Sequence, residues 1–313
     1  MLPFYPRISV LMITYNQENY ISRALDSLLV QRDYLYEVCI NDDCSTDRTF
    51  DILEEYRKRF PNIIKPIRNQ QNLGIFKNIE ATWSRPSGDI VYRLAGDDEC
   101  GNGYFQRVVE FIEEKGIDYK NELFCIYGDY KEVEPDGSVI VYKNSLVKNH
   151  DAMRLGFRKL ISNRSACYSK KILDRFEKVS EDRSFNAEIV QEIQLQLFAE
   201  KNYYLPVVGN IYYSGIGIST RLNKKEKEER ILQGYQRKID FATQHGYKIE
   251  NKDLAFLEFM KAYRFGKKMR AIRYYFSSID PSLGLKGMHL DRILFVLKKG
   301  LKGNRYSYSF ILP

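Results

Sequence analysis

The stretch Ile8-Ser9-Val10-Leu11-Met12-Ile13 is a short, β-rich apolar run that stops abruptly at the polar Thr14-Tyr15-Asn16. The same transition occurs twice more. Val38-Cys39-Ile40 gives way to Asn41-Asp42-Asp43-Cys44-Ser45-Thr46-Asp47, and Asp89-Ile90-Val91-Tyr92-Arg93-Leu94-Ala95 gives way to Gly96-Asp97-Asp98-Glu99. Helical spacing fills the intervals: Tyr20, Ala24, Leu25, Leu28 and Leu29 first, then Phe50, Leu53 and Tyr56, with Ser45 or Thr46 available as N-cap. Asn78 to Trp83 suits a helix ending before Pro86 and Gly88, and Ile63 to Ile67 a further strand, interrupted by Lys65 and Pro66. Strand, loop, helix, strand at this spacing predicts an α/β fold with parallel pairing and right-handed crossovers. Ligands in such sheets gather beyond the carboxyl ends of the strands. The three polar clusters are therefore expected to converge on one sheet edge.

Further along, Tyr104 to Glu114 reads as a helix, and Phe124 to Val133 and Val139 to Tyr142 as strands around the turn Glu134-Pro135-Asp136-Gly137. Glu188 to Glu200 is a helix with apolar positions at Ile189, Ile193 and Leu197. From Arg221 the chain reads as helical, with Leu290, Ile293, Leu294 and Leu297 at i, i+3, i+4, i+7. Positive charge collects at this end. Residues 261–313 hold twelve Lys and Arg against Asp280 and Asp291, so the whole excess of a chain carrying +8 lies there.

Several classes are disfavoured. At 29% charged and 44% hydrophobic, the 313 residues balance as a globular protein able to bury a full core. No apolar run approaches the roughly 18 residues of a membrane span, and the first residues lack the pattern of a signal peptide. Five scattered cysteines without a Cys-x-x-Cys pair, and only three histidines, fit neither a disulfide framework nor a zinc site, and imply a reducing, cytoplasmic setting. No Gly-x-Gly-x-x-Gly or P-loop follows the first strand, which removes the dinucleotide-binding and Walker readings.

An Asp-Asp pair at a strand end suits a hard divalent cation, Mn²⁺ or Mg²⁺, bridged to substrate phosphates. Either acidic cluster alone reads equally as a solvated turn. Together on one edge, Asp42-Asp43 can accept hydrogen bonds from a base or ribose while Asp97-Asp98 holds metal and diphosphate.

The motifs Ile8 to Asn16, Ser27-Leu28-Leu29-Val30-Gln31, Glu37 to Asp47, Asn69 to Gly74, Asn78 and Gly88 to Asp98, in that order, resemble family 2 glycosyltransferases of the GT-A fold. That resemblance implies a Rossmann-like, mostly parallel central sheet flanked by helices, with a C-terminal α-helical extension. It implies a glycosyltransferase domain over 1–220, nucleotide-sugar binding in about 1–100 and acceptor side in about 101–220, followed by a helical, basic 221–313. Thr14, Tyr15, Asn16, Asp42, Asp43, Lys77 and Asp97 are the implied nucleotide-binding residues, Asp43 accepting from the uracil of a UDP-linked donor. Asp98 is the implied direct ligand of Mn²⁺ or Mg²⁺. Gln191-Glu192-Ile193-Gln194-Leu195 matches the Glu-Asp-x-x-Leu helix start, which makes Glu192 the implied catalytic base and Glu188 its competitor.

The implied reaction is inverting transfer from the donor to a hydroxyl of a saccharide or lipid-linked saccharide in bacterial surface-polysaccharide assembly. Glu192 takes the proton as the nucleoside diphosphate departs. Departures from the pattern at Ala95, Gln191, Tyr213 and Gly215 leave open a catalytically silent nucleotide-sugar binder. The basic, aromatic-rich 261–313 fits an anionic membrane surface on the inner face of the cell membrane, or a merely solvated face. Nucleic acid is the weaker alternative, because acidic strand ends argue against it for the core.

Overall fold

The computed structural model describes residues 5–148, 151–157, 161–178, 187–216, 234, 236–264 and 268–283. In chain order they form β1 (Ile8–Thr14), α1 (Ile21–Leu29), β2 (Leu35–Asp42), α2 (Thr49–Arg59), β3 (Ile64–Arg68), α3 (Ile75–Thr82), β4 (Ile90–Ala95), β5 (Glu99–Cys100) and α4 (Tyr104–Lys115). There follow β6 (Phe124–Val133), β7 (Val139–Tyr142), α5 (Ala152–Phe157), β8 (Ala166–Ser169), α6 (Lys170–Leu173), α7 (Ala187–Phe198) and β9 (Lys201–Tyr213). Helices α8 (236–244), α9 (Asn251–Arg264) and α10 (Lys268–Ser278) close the described chain. The charged run Lys224 to Arg230 and the Leu290 to Leu297 periodicity lie outside the described residues.

One mixed sheet runs β3-β2-β1-β4-β8-β6-β9-β5, with β7 paired to β6. Its first four strands are parallel, as the strand–helix alternation predicts, while β8 enters antiparallel between β4 and β6. Lys65 and Pro66 do not break β3: Pro66 sits opposite Ile40 at the edge of the sheet, where a missing N–H costs no ladder bond. Neither Ser45 nor Thr46 caps α2. The helix starts later, at Thr49, whose backbone N–H donates to Asp47 Oδ1 at 2.9 Å.

Period-2 alternation buries both faces. Val10, Met12, Val38, Ile40, Tyr92 and Leu94 pack under α1, α2 and α4, where Ala24, Leu25, Leu28, Leu53, Phe105 and Val108 meet them. Leu11, Cys39 and Val91 face the other way, toward Ile79, Leu155, Ile172 and Leu195 of α3, α5, α6 and α7. Helix α1 buries Ile21, Ala24, Leu25, Leu28 and Leu29, an apolar stripe with each fully buried Leu or Ile worth about 1.5–3 kcal/mol. A third cluster joins Met153 of α5 and Ile193 of α7 to Ala242, Phe256, Leu257, Phe259 and Met260. The C-terminal helices are thus packed on the α/β layer through α5 and α7. Arg154 of α5 reinforces the contact, pairing with Asp253 at 3.4 Å and with the buried Asp280.

Candidate active site

Adjacency of β2, β1 and β4 fixes the site. Thr14 lies opposite Asp42, and Ile13 opposite both Asn41 and Ala95, so the polar segments after all three strands leave the sheet side by side. The Asp43 N–H donates to the Thr14 carbonyl at 2.9 Å, which extends the β1–β2 ladder one step beyond the sheet.

The two turns interlock. Asn16 (φ 52°) and Cys44 (φ 61°) are the non-glycine residues with left-handed backbone among the described residues. Asn16 N–H donates to Ser45 Oγ at 2.9 Å, and Asn16 Oδ1 accepts from the Thr46 N–H at 2.8 Å. Asp42, fully buried, accepts from the Ser45 N–H at 2.9 Å and from the Ser45 hydroxyl. Burial raises its pKa against those bonds and against Arg68, whose Nε lies 3.7 Å away. Strained backbone of this kind is held only where its surroundings over-determine it, and such places cluster at functional sites. Thr14 is 2% exposed, and its hydroxyl has no hydrogen-bond partner among the described residues. Tyr15, next to it, is exposed.

Asp43 organises the loop between β3 and α3. Its Oδ1 accepts from Asn69 Nδ2 and the Leu73 N–H, both at 2.8 Å, and its Oδ2 from the Gly74 N–H at 2.9 Å. A carboxylate has about four acceptor positions, so one remains for a ligand. Gly74 has φ +82°, a conformation that glycine alone adopts without strain. Lys77, one turn into α3, is exposed.

Asp97 and Asp98 follow β4. Gly96 before them allows close approach: a Cβ there would sit 2.3 Å from Gln17 Oε1. Asp98 is 4% exposed, and burial raises its pKa to about 7, with Arg164 opposing and Asp97 adding to the rise. Burial likewise raises Asp97, against Arg164 and Arg23. Arg164 Nη1 stands 3.6 Å from Asp98 Oδ2, and Arg23 donates to the Asp97 carbonyl at 2.8 Å. Each guanidinium lies 3.7 Å from the centre of a tyrosine ring, Arg164 over Tyr212 and Arg23 over Tyr213, consecutive residues of β9. Tyr213 also donates its hydroxyl to Glu99. Arg23 and Arg164 were not among the expected site residues. Arg23 lies on a helix whose apolar stripe dominates its pattern, and Arg164 lies in an unpatterned loop before β8, so no local signal marked either.

Asp98 fits a divalent cation. It is a hard oxygen donor whose burial leaves it short of positive charge even beside Arg164, and the buried Asn210 Oδ1 nearby has no hydrogen-bond partner among the described residues. Among the described residues no group of three or more His, Cys, Asp and Glu gathers at one point.

Glu192 lies on α7. Asn163 Nδ2 donates to the Glu192 carbonyl at 3.0 Å, and Arg164, the next residue, faces Asp98. A two-residue bridge therefore links the helix to the acidic strand end. The Glu192 carboxylate is about one-third exposed and lies 3.8 Å from Lys238 Nζ. Gln191, before it, is buried and accepts from Arg93 Nη1 of β4 at 3.3 Å. Glu188 belongs to the same helix, its side chain outside the described set.

The sequence model "Glycosyl transferase family 2" matches residues 9–167. An uncharacterized glycosyltransferase of Haemophilus influenzae is 26% identical over 95% of each chain. An uncharacterized protein of Mycobacterium tuberculosis is 41% identical over 92 residues, 29% of this chain and 27% of its own length, so the chain matches only about a quarter of that relative. Residues 1–349 of S. aureus TarS, crystallised with UDP-GlcNAc, have the same fold: TM-score 0.62 at 19% identity, over 97% of this chain and 94% of that one.

Proposed function

The chain belongs to glycosyl transferase family 2, and on that premise we propose that it transfers a sugar, with inversion, from a UDP-linked donor to a hydroxyl of a saccharide or lipid-linked saccharide in cell-surface polysaccharide biosynthesis. One observation supports the reading: Thr14, Asp43, Asp97 and Asp98 lie at the carboxyl ends of three adjacent parallel strands, and Asn163 and Arg164 link the Glu192 carbonyl to Asp98. A uridine donor is in keeping with the UDP-GlcNAc that TarS holds in the same fold.

The donor's base would lie against the Asp43 loop, where the unpartnered Thr14 hydroxyl and the last acceptor position of Asp43 await a polar edge. Tyr15, Asn16, Lys77 and Asp97 would flank the nucleotide, and Asp42 would act through the turn that it closes. Asp98 would hold Mn²⁺ or Mg²⁺, which when bound stabilises charge developing on the departing diphosphate. Glu192 would receive the acceptor's hydroxyl proton as the oxygen attacks the anomeric carbon and the bond to the diphosphate breaks. Arg164 would supply fixed positive charge beside the leaving group, while Arg23, paired with Glu99 at 3.0 Å, would hold the Asp97 turn in place.

An anionic membrane surface completes the proposal, placing the enzyme on the inner face of the cell membrane. In support, α10 exposes Met269 (79%) and Phe276 (68%), with Arg273 on the same face at i+4 from Met269. No helix among the described residues is long and apolar enough to cross a membrane.

Thermal unfolding with UDP, GDP and ADP, each with and without Mn²⁺, tests the core of this reading. At 100 times its Kd a nucleotide adds about 2.7 kcal/mol of stability. Stabilisation by UDP that requires Mn²⁺ and disappears in Asp98→Asn is expected. Equal stabilisation of the variant would remove Asp98 from the metal role, and stabilisation by another base alone would remove the uridine donor.

A further inference from the structure

Helix α7 is gripped from two sides. On the sheet side, Arg93 reaches Gln191 and Asn163 holds the Glu192 carbonyl. On the other side, Ile193 lies in one apolar cluster with Ala242 of α8 and with Phe256, Leu257, Phe259 and Met260 of α9. Glu177 ties the same parts together. Its backbone exchanges hydrogen bonds with Gln194, N–H to Oε1 at 2.6 Å and Nε2 to carbonyl at 3.1 Å, while its carboxylate pairs with His245 Nε2 at 2.8 Å.

Within this grip lies Lys238, its side chain only 5% exposed and its ammonium 3.8 Å from Glu192 Oε2. An ammonium withdrawn from water is costly unless negative charge stands close by. On the sheet side Tyr127 and Tyr130 of β6 lie close enough to feel the Glu192 charge, and on the opposite side Lys238 of α8 brings an ammonium to it. We propose that Lys238 is a positioning residue for the Glu192 carboxylate, and that the C-terminal helices thereby take part in catalysis instead of merely extending the fold. The proposal rests on the reading of Glu192 as the base. Lys238 would hold the carboxylate by one oxygen, fixing its rotamer toward the acceptor's path. A freely rotating glutamate, one methylene longer than aspartate, would spend much of its time elsewhere.

The test is a double-mutant cycle on the full chain, with UDP release from UDP-GlcNAc in Mn²⁺ as the activity. The variants are Lys238→Met, Lys238→Arg, Glu192→Gln and Lys238→Met/Glu192→Gln, each with its melting temperature. Lys238→Met should lower kcat about tenfold or more with little change in donor KM, and Lys238→Arg should restore most of it. In the Glu192→Gln background Lys238→Met should cost nothing further, because a residue acting through Glu192 has nothing left to act on. Equal losses in both backgrounds, or a change in KM alone, would overturn the proposal while leaving Glu192 as base. A fully active Glu192→Gln would instead remove the base reading, and this inference with it. Should Lys238→Met not fold, Lys238→Gln enters the same cycle.

Discussion

The acidic side chains at the candidate site differ in how they are held. Asp42 is spent on its own turn, whereas Asp43 keeps an acceptor position, so neighbouring aspartates do different work. Asp98 is buried beside a cation that only partly neutralises it, and Glu192 is partly open to solvent. That division suits one carboxylate for binding a cation and another for taking a proton. General-base assistance is worth about 10²–10⁴ in rate. Glu192→Gln should therefore lower kcat by that factor with donor KM nearly unchanged, as steady-state kinetics will read. A fall confined to donor affinity would move Glu192 to the binding side.

At the scale of elements, the site depends on the opposite end of the same strands being pinned. Glu37 of β2, 1% exposed, accepts from Ser9 Oγ of β1 at 2.8 Å and from the Ser87 N–H, and pairs with Lys65 of β3. Burial raises its pKa, but the bonds from Lys65, Ser87 and Ser9 outweigh it, leaving the value at about 2 against an ordinary 4.5. A depressed carboxylate stabilises the fold above its unfolded value and loses that contribution as pH falls through its folded value. Wild type should therefore exceed Glu37→Gln in stability by on the order of 3 kcal/mol at pH 6, the gap closing between about pH 4.5 and 2. Urea unfolding of both proteins across that range measures it; a gap independent of pH would mean that packing, not charge, holds these strands together.

Across the described residues, the α/β layer and the C-terminal helices are joined through α5 and α7, and α10 exposes apolar and basic side chains together. A basic residue near an anionic surface contributes about 1 kcal/mol, and apolar side chains add their burial. Wild type should pellet with vesicles containing phosphatidylserine but not with neutral ones. Met269→Ser/Phe276→Ser should weaken that association without altering UDP binding. Pelleting equal to wild type would clear α10 of the role.

The sequence determined the strand-end clusters and the parallel order of the first half. A period-2 apolar run followed by a polar turn is a local signal, and successive strands separated by helices can pair in few ways. Thr14, Asp43 and Asp98 were legible because chain connectivity alone carries them to one edge. Only the tertiary structure decided what stands against them. Arg23, Arg164 and Lys238 approach the acidic groups from a helix, a loop and the C-terminal region, 76, 66 and 46 residues away from their partners Glu99, Asp98 and Glu192. Their positions follow from the packing of α1, β8 and α8 on the sheet and on α7. Charge pairing across such distances leaves no periodicity or spacing in the chain, since it depends on which faces meet after the layers close.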